Sequence, residues 1–150
     1  MVAEEIRPPY GIYQLKVDDK GRLKLPPYFQ EFMEPHRVWF VTSFDGETVR
    51  VYSAEAWQCL RVKLREKGDE GEELAFFAAN FGLEVKIDGQ GRILTPGEWR
   101  ERLHLPDGMI PVRMYWNHDH FLVLPEALYQ KKMMERLGKV KIDELLDQGQ

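Results

Sequence analysis

The chain has 150 residues, of which 43% are hydrophobic and 31% charged, enough for one well-filled core or for two half-size modules sharing one. No apolar run reaches the ~20 residues of a membrane span, residues 1–5 lack the basic start and apolar core of a secretory signal, and a single cysteine, Cys59, excludes an internal disulfide. These features predict a cytoplasmic protein without fibrous or membrane-spanning parts, and its net charge of −4 is carried by residues 66–73, which hold five acids and one lysine.

Residues 1–9 have no periodicity and contain Pro8 and Pro9, which predicts a loose lead-in. Over residues 10–17 Ile12 and Gln14 alternate with Tyr13, Leu15 and Val17, the pattern of a half-buried strand. Asp18 and Gly21 then bound a turn, and residues 22–25 return as a strand. Pro26 and Pro27 open a short helix with an apolar stripe of Tyr28, Phe29, Phe32 and Met33, and Glu34-Pro35 stops it. Residues 37–43 form a strongly apolar strand, Asp45-Gly46 a hairpin turn, and residues 48–52 the strand that comes back. Ser53 caps a helix running to about Glu66, with Ala56, Trp57, Leu60 and Leu64 at helical spacing and Cys59 on its packed face. An acidic linker over 68–71 leads to a helix over 73–81, which Gly82 ends.

The second half repeats this order. A strand over 83–87, a turn bounded by Asp88 and Gly91, and a return at 93–94 lead into Thr95-Pro96-Gly97-Glu98, which fits a capping box for a helix over 96–103. Strands over 110–116 and 121–124 flank a turn at 117–120. An amphipathic helix over 125–137 precedes a tail that thins into Gly, Asp and Gln.

The repetition is literal as well as architectural. Residues 16–31 return 70 positions later as 86–101 with six of sixteen positions identical, and Val17/Ile87, Leu23/Ile93 and Phe29/Trp99 keep their apolar character. Each copy carries an Asp, a Gly and an Arg in fixed register: Asp18, Gly21 and Arg22, then Asp88, Gly91 and Arg92. A glycine-centred turn displays the arginine to solvent with an acid four residues before it, close enough to steer its side chain. Arginine can fork onto a phosphate or a guanine edge and glutamine can pair with adenine, so Lys20, Arg22, Lys24, Gln90 and Arg92 suit a β-ribbon that reads DNA, with both tips facing outward together. Residues 16–24 hold four cations against two acids, whereas charges around the second turn cancel, so the first turn is expected to contribute more to affinity. The competing reading is that each arginine only bridges to its own aspartate and pins the turn.

The doubled Asp-x-x-x-Arg signature, each time followed by a strand ending in proline and a helix bearing an aromatic and a glutamate, resembles the MraZ family, whose relatives are the AbrB and MazE swapped-hairpin modules. The resemblance spans about residues 11–130. It implies a mainly β fold with short helices, a double-split β-barrel built from two tandem AbrB-like modules. Their bounds are 10–66 and 83–137, joined by an acidic linker and helix at 67–82 and followed by a tail at 138–150. It also implies DNA binding at the two turns, assembly into rings of many subunits, nucleoid association, and action on promoter repeats upstream of the division and cell-wall gene cluster. No cofactor, metal or small-molecule substrate is expected.

Other residues point to weaker readings. His118 and His120 have a metal-like spacing, but no third ligand follows at a recognised interval. Ser43 and Ser53 sit in no nucleophile context, and no phosphate loop is present, so nothing suggests an enzyme. Trp57, Phe76, Phe77, Trp99, Tyr115, Trp116 and Phe121 exceed what one small barrel buries and are candidates for a subunit contact, the core being the default for any one of them. An antitoxin-like protein that clasps a toxin and binds its own operator is the alternative. Such proteins usually carry one module and a disordered acidic tail, so the two modules here favour the regulator.

Overall fold

Inward apolar side chains alternate with outward polar ones in strands such as 110–117, while 120–125 is buried throughout, and all pairings of the eight strands are antiparallel within one sheet. The structure, a computed structural model, describes residues 6–147, so residues 1–5 of the expected lead-in and 148–150 of the expected tail lie outside the described residues. In chain order the elements are β1 (Tyr13–Val17), β2 (Arg22–Lys24), α1 (Pro27–Met33), β3 (Trp39–Thr42), β4 (Val49–Ser53), α2 (Ala54–Glu66) and α3 (Asp69–Phe81). There follow β5 (Leu83–Val85), β6 (Arg92–Leu94), α4 (Gly97–Arg102), β7 (Ile110–Asn117), β8 (His120–Pro125), α5 (Glu126–Arg136) and α6 (Ile142–Leu146). Among the described residues no helix is long and apolar enough to cross a membrane.

The strand order is β5-β3-β4-β8-β7-β1-β2-β6, so strands from the two halves of the chain are interleaved. The two edge strands, β5 and β6, are joined by the second Gly-Arg turn, which draws the sheet into a nearly closed, barrel-like form. The strands flanking each turn do not make the simple hairpins that the local pattern predicts. β1 pairs with β2 only at Val17 and Leu23 and on its other edge with β7 along its whole length, while β2 pairs along its whole length with β6 of the other half, Arg22 opposite Leu94 and Lys24 opposite Arg92. The exchange puts Leu23 and Ile93 side by side on the inner face.

The core fills this sheet and is sealed by helices. Phe29 of α1 and Trp99 of α4, the equivalent aromatics of the two repeats, are both fully buried, with Trp39 and Phe121 among the other large core side chains. Truncating an aromatic of this kind to alanine costs about 3–5 kcal/mol out of a typical total of about 5–15, so packing alone accounts for an aromatic at that position of each repeat. Both buried indoles find acceptors, Trp39 Nε1 donating to the Met33 carbonyl at 3.0 Å and Trp99 Nε1 to that of Glu47 at 2.8 Å.

Local signals read correctly include proline in the first turn of α1, Ser53 Oγ accepting the Ala56 N–H at 3.1 Å to cap α2, and the end of α2 at Glu66. Three readings need correction. The capping box at Thr95 does not form, because its hydroxyl donates to the Gly21 carbonyl of the first turn instead, at 2.8 Å. α3 begins at Asp69 rather than at 73, since acids in a first turn are favoured by the helix dipole and do not signal a linker. Cys59 is exposed rather than packed, as α2 buries Leu64 and leaves that flank to solvent. The tail, predicted to fray, contains the short helix α6, which has no buried residue.

Candidate nucleic-acid interface

The two turns have the same internal geometry. In the first, Asp18 Oδ1 accepts the N–H groups of Lys20 and Arg22, both at 2.9 Å, and Gly21 N–H returns to the Asp18 carbonyl at 3.0 Å. In the second, Asp88 Oδ1 accepts from Gln90 and Arg92, again both at 2.9 Å, and Gly91 N–H returns to Asp88 at 3.0 Å. Gly21 and Gly91 have φ of +79° and +74°, the left-handed region that side chains disfavour, and a β-carbon on Gly91 would collide with Gln30.

The remaining carboxylate oxygen holds the arginine. Arg22 Nε donates to Asp18 Oδ2 at 2.6 Å and Arg92 Nε to Asp88 Oδ2 at 2.8 Å. Partial burial pushes the Asp18 carboxyl up, but the Arg22 backbone and side chain and the Lys20 N–H outweigh it and hold the group below its ordinary value. Asp88 is lowered chiefly by the Arg92 backbone bond, with Gln90 N–H and the guanidinium adding to it. The arginine side chains stay 32% and 23% exposed, and exposed pairs of this kind add little stability. Their effect is orientation: only Nε is used, and among the described residues the Nη groups of both arginines have no hydrogen-bond partner. Each arginine is thus bonded to its own aspartate and still partly exposed.

The antiparallel β2–β6 pairing puts both arginines on one outward face while sending the two turns to opposite ends of that short ribbon. Lys24 lies directly across from Arg92, and its ammonium donates to the Gln90 carbonyl, tying β2 to the second turn. Lys16 shares a shallow depression with Arg22, Lys24 and Arg92, and Lys86 lies in a second depression beside both arginines. Five cations thus face three carboxylates, Asp18, Asp88 and Glu84, of which the first two are already engaged by arginine. Of the predicted site residues, Arg22, Lys24 and Arg92 come together. Gln90 is exposed on the second turn, and Lys20 lines a different depression beside Thr95 and Arg100.

Sequence reasoning missed the buttresses. The Arg100 guanidinium donates to the carbonyls of Asp18 at 2.6 Å, Gly108 at 2.8 Å and Pro106 at 3.2 Å, clamping the first turn from behind. Its counterpart 70 residues earlier, Gln30, donates to the Leu25 carbonyl at 2.7 Å and packs against Gly91. Lys16 and Lys86 were also missed as candidates, although they are identical and equivalent in the repeat, which was the signal available. His118 and His120 part company: His118 is exposed at φ +61°, whereas His120 is buried, stacked on Tyr52 at 4.6 Å, and disfavours its charged form through burial. Among the described residues no group of three or more His, Cys, Asp or Glu side chains is arranged to hold a metal ion.

No protein-family model matches the chain. Curated proteins do. The chain is 35% identical over 131 residues to the "Transcriptional regulator MraZ" of Koribacter versatilis (strain Ellin345), covering 83% of this chain and 86% of that one. It is 32% identical over 130 residues to the protein of the same name from Syntrophobacter fumaroxidans (strain DSM 10017 / MPOB), covering 79% and 87%. A shorter match to that of Acetivibrio thermocellus, 36% over 95 residues, covers 61% of this chain and 65% of the relative.

Proposed function

The chain belongs to the MraZ family of transcriptional regulators, and from that premise we propose that it regulates by binding DNA with the outward face of the β2–β6 ribbon. The observation that carries this reading is the pair of arginines, each held through Nε by its own aspartate with its Nη groups free on one face beside Lys24. A guanidinium fixed at one edge has already lost much of its rotamer freedom and presents its remaining donors to a phosphate or a guanine edge. Lys16 and Lys86 extend the positive face along a backbone, and Lys20 and Gln90 reach toward DNA from the two turn tips. Helix α4, behind the first turn, supports that turn through Arg100.

One copy offers about two to four phosphate contacts, and at a salt slope of about −0.9 per contact this gives weak binding at physiological ionic strength. Several copies joined in one assembly and meeting repeated promoter elements gain affinity through effective concentration. We therefore read the working form as a homo-oligomer on repeated sites, nucleoid-associated and, following the family resemblance, upstream of the division and cell-wall genes. The two-module division of the chain, with bounds at 10–66 and 83–137, belongs to the same reading.

The test is a salt-titrated anisotropy measurement on the DNA just upstream of the gene. Arg22→Glu is expected to lower affinity by tenfold or more and to flatten the salt slope by about one unit per subunit contact, with Arg92→Glu weaker in effect. Unchanged binding by the Arg22→Glu protein at its native assembly size rejects the ribbon as the DNA face.

A further inference from the structure

On the outer face of the sheet, three neighbouring strands place Arg50 of β4, Leu122 of β8 and Tyr115 of β7 in one cross-strand row. α5 runs over this row and turns Tyr129, Lys132, Met133 and Arg136 toward it, the three- and four-residue spacing of a single helical face. A helix laid on a sheet normally presses an apolar stripe into it. Here two of the four positions are cations, and α5 has no buried residue, so the helix stands off from the strands and leaves a groove of about 310 Å³. That volume lies at the lower end of the range for small-molecule sites.

The groove combines an apolar floor, where Leu122 and Leu124 are buried, with an uncompensated positive charge. Arg50, Lys132 and Arg136 face one carboxylate, Asp45, which is engaged by the N–H groups of Glu47 and Thr48, both at 2.9 Å, and by the Ser43 hydroxyl at 3.1 Å. Among the described residues none of the three cations makes an ion pair with a carboxylate. Arg50 is nevertheless fixed: its Nη1 donates to Tyr52 Oη at 3.3 Å and lies 3.4 Å from His120 Nε2, and its guanidinium covers the Phe44 ring at 5.3 Å. Burial raises the Tyr115 phenol above its ordinary value against the pull of Arg136 and Arg50, so a neutral hydroxyl with a proton to donate stands in the field of both guanidiniums. The opposite wall is fixed without spending any of these cations. Arg113 lies over the Tyr129 ring at 4.5 Å and is itself paired with Glu126 through two bonds of 2.6 and 2.9 Å.

We propose that this groove binds a phosphate monoester carrying a flat apolar body, the phosphate taken by Arg50, Arg136 and the Tyr115 hydroxyl and the body lying on Leu122 against Tyr129. A phosphate monoester brings about −1.5 to −2 charges near neutral pH and three acceptor oxygens, which suit two forked guanidiniums and a hydroxyl. It also offsets the excess of three cations over one carboxylate, which a single carboxylate ligand does not. Inorganic phosphate satisfies the charge and leaves the apolar floor in water. None of these side chains is on β2 or β6, so the site is separate from the ribbon read above as the DNA face.

The experiment is a calorimetric titration of the full chain with phenyl phosphate, adenosine monophosphate and inorganic phosphate. Wild type is expected to bind the two organic probes once per chain and at least tenfold more tightly than inorganic phosphate, and whichever organic probe binds more tightly tells a nucleotide from a smaller aryl ester. Lys132→Glu/Arg136→Glu is expected to weaken both organic probes by tenfold or more. Tyr115→Phe, which keeps the ring and deletes one donor to a charged acceptor, is expected to weaken them by about tenfold and guards against misfolding of the double variant. Arg22→Glu, which spoils the ribbon, should leave all three affinities unchanged. The site is overturned if neither organic probe binds below about 10 mM, or if neither binds more tightly than inorganic phosphate. Affinities that survive both groove variants, or that are lost in Arg22→Glu, place the probes elsewhere and overturn it as well, with the DNA reading left standing.

Discussion

At the scale of single residues, the aspartates of the two turns do more than balance charge. Asp18 spends one oxygen on two backbone N–H groups and the other on Arg22 Nε, so it shapes the turn and aims the guanidinium at once. These roles predict a result of unusual sign. Asp18→Asn removes a negative charge beside the ribbon proposed to face DNA, and long-range Coulomb attraction alone would raise affinity for a polyanion. If orientation dominates, the amide loses the charge-assisted bond to Nε, the arginine regains its rotamers, and affinity falls by about 1–2 kcal/mol, roughly five- to thirtyfold. A titration of the Asp18→Asn protein at fixed salt decides between the two, and tighter binding rejects orientation. The need for the residue types was legible beforehand, since aspartate, glycine and arginine recur in the same register twice. What was not legible was that pairing and display coexist, because sequence does not say which nitrogens of a guanidinium are used.

At the scale of elements, the outcome follows from how far a signal reaches along the chain. Pro27, Ser53 and the turn glycines Gly21 and Gly91 act within a few residues of themselves, and the helices and turns they mark were foreseen. β2 contains only three residues, and nothing within them names a partner 70 positions away, so its exchange onto β6 was invisible to local pattern. Thr95 and Arg100 were misread or passed over for the same reason: a hydroxyl before a helix resembles a cap, and an arginine on a short helix resembles a solvated charge. Both instead bond to carbonyls of the first turn, Gly21 and Asp18. Arg100→Met keeps most of the side-chain length and deletes donors to three carbonyls. It is expected to destabilise the fold by about 1–3 kcal/mol in urea unfolding, whereas Arg102→Met, whose guanidinium lies over the Phe77 ring at 5.6 Å, should cost less than about 1 kcal/mol. Equal losses would mean that the first turn holds its shape without the clamp.

At the scale of the whole molecule, the interleaved strand order makes the two halves structurally dependent on each other. β2 lies between β1 and β6, β4 between β3 and β8, and β7 between β8 and β1, so cutting the chain in the α3–β5 region breaks ladders at several places in the sheet. A first half alone would leave β1, β2 and β4 with unpaired edges and would expose one side of Phe29, Val51 and Leu23, while a second half alone would strand β6 with no neighbour in the ladder. Fragments of residues 1–82 and 83–150 are therefore each expected to lack a cooperative thermal transition. Mixed in equal amounts they should recover the far-ultraviolet spectrum and a cooperative melt, at a lower and concentration-dependent midpoint because association has become bimolecular. The cut leaves each Gly-Arg turn whole within its own fragment, so on the proposed reading the recombined protein should also regain DNA binding, which a mere hydrophobic aggregate of fragments would not. If either fragment melts cooperatively alone, that half closes a core of its own, and the exchange of β2 onto β6 is a late docking of finished modules rather than the step that completes them.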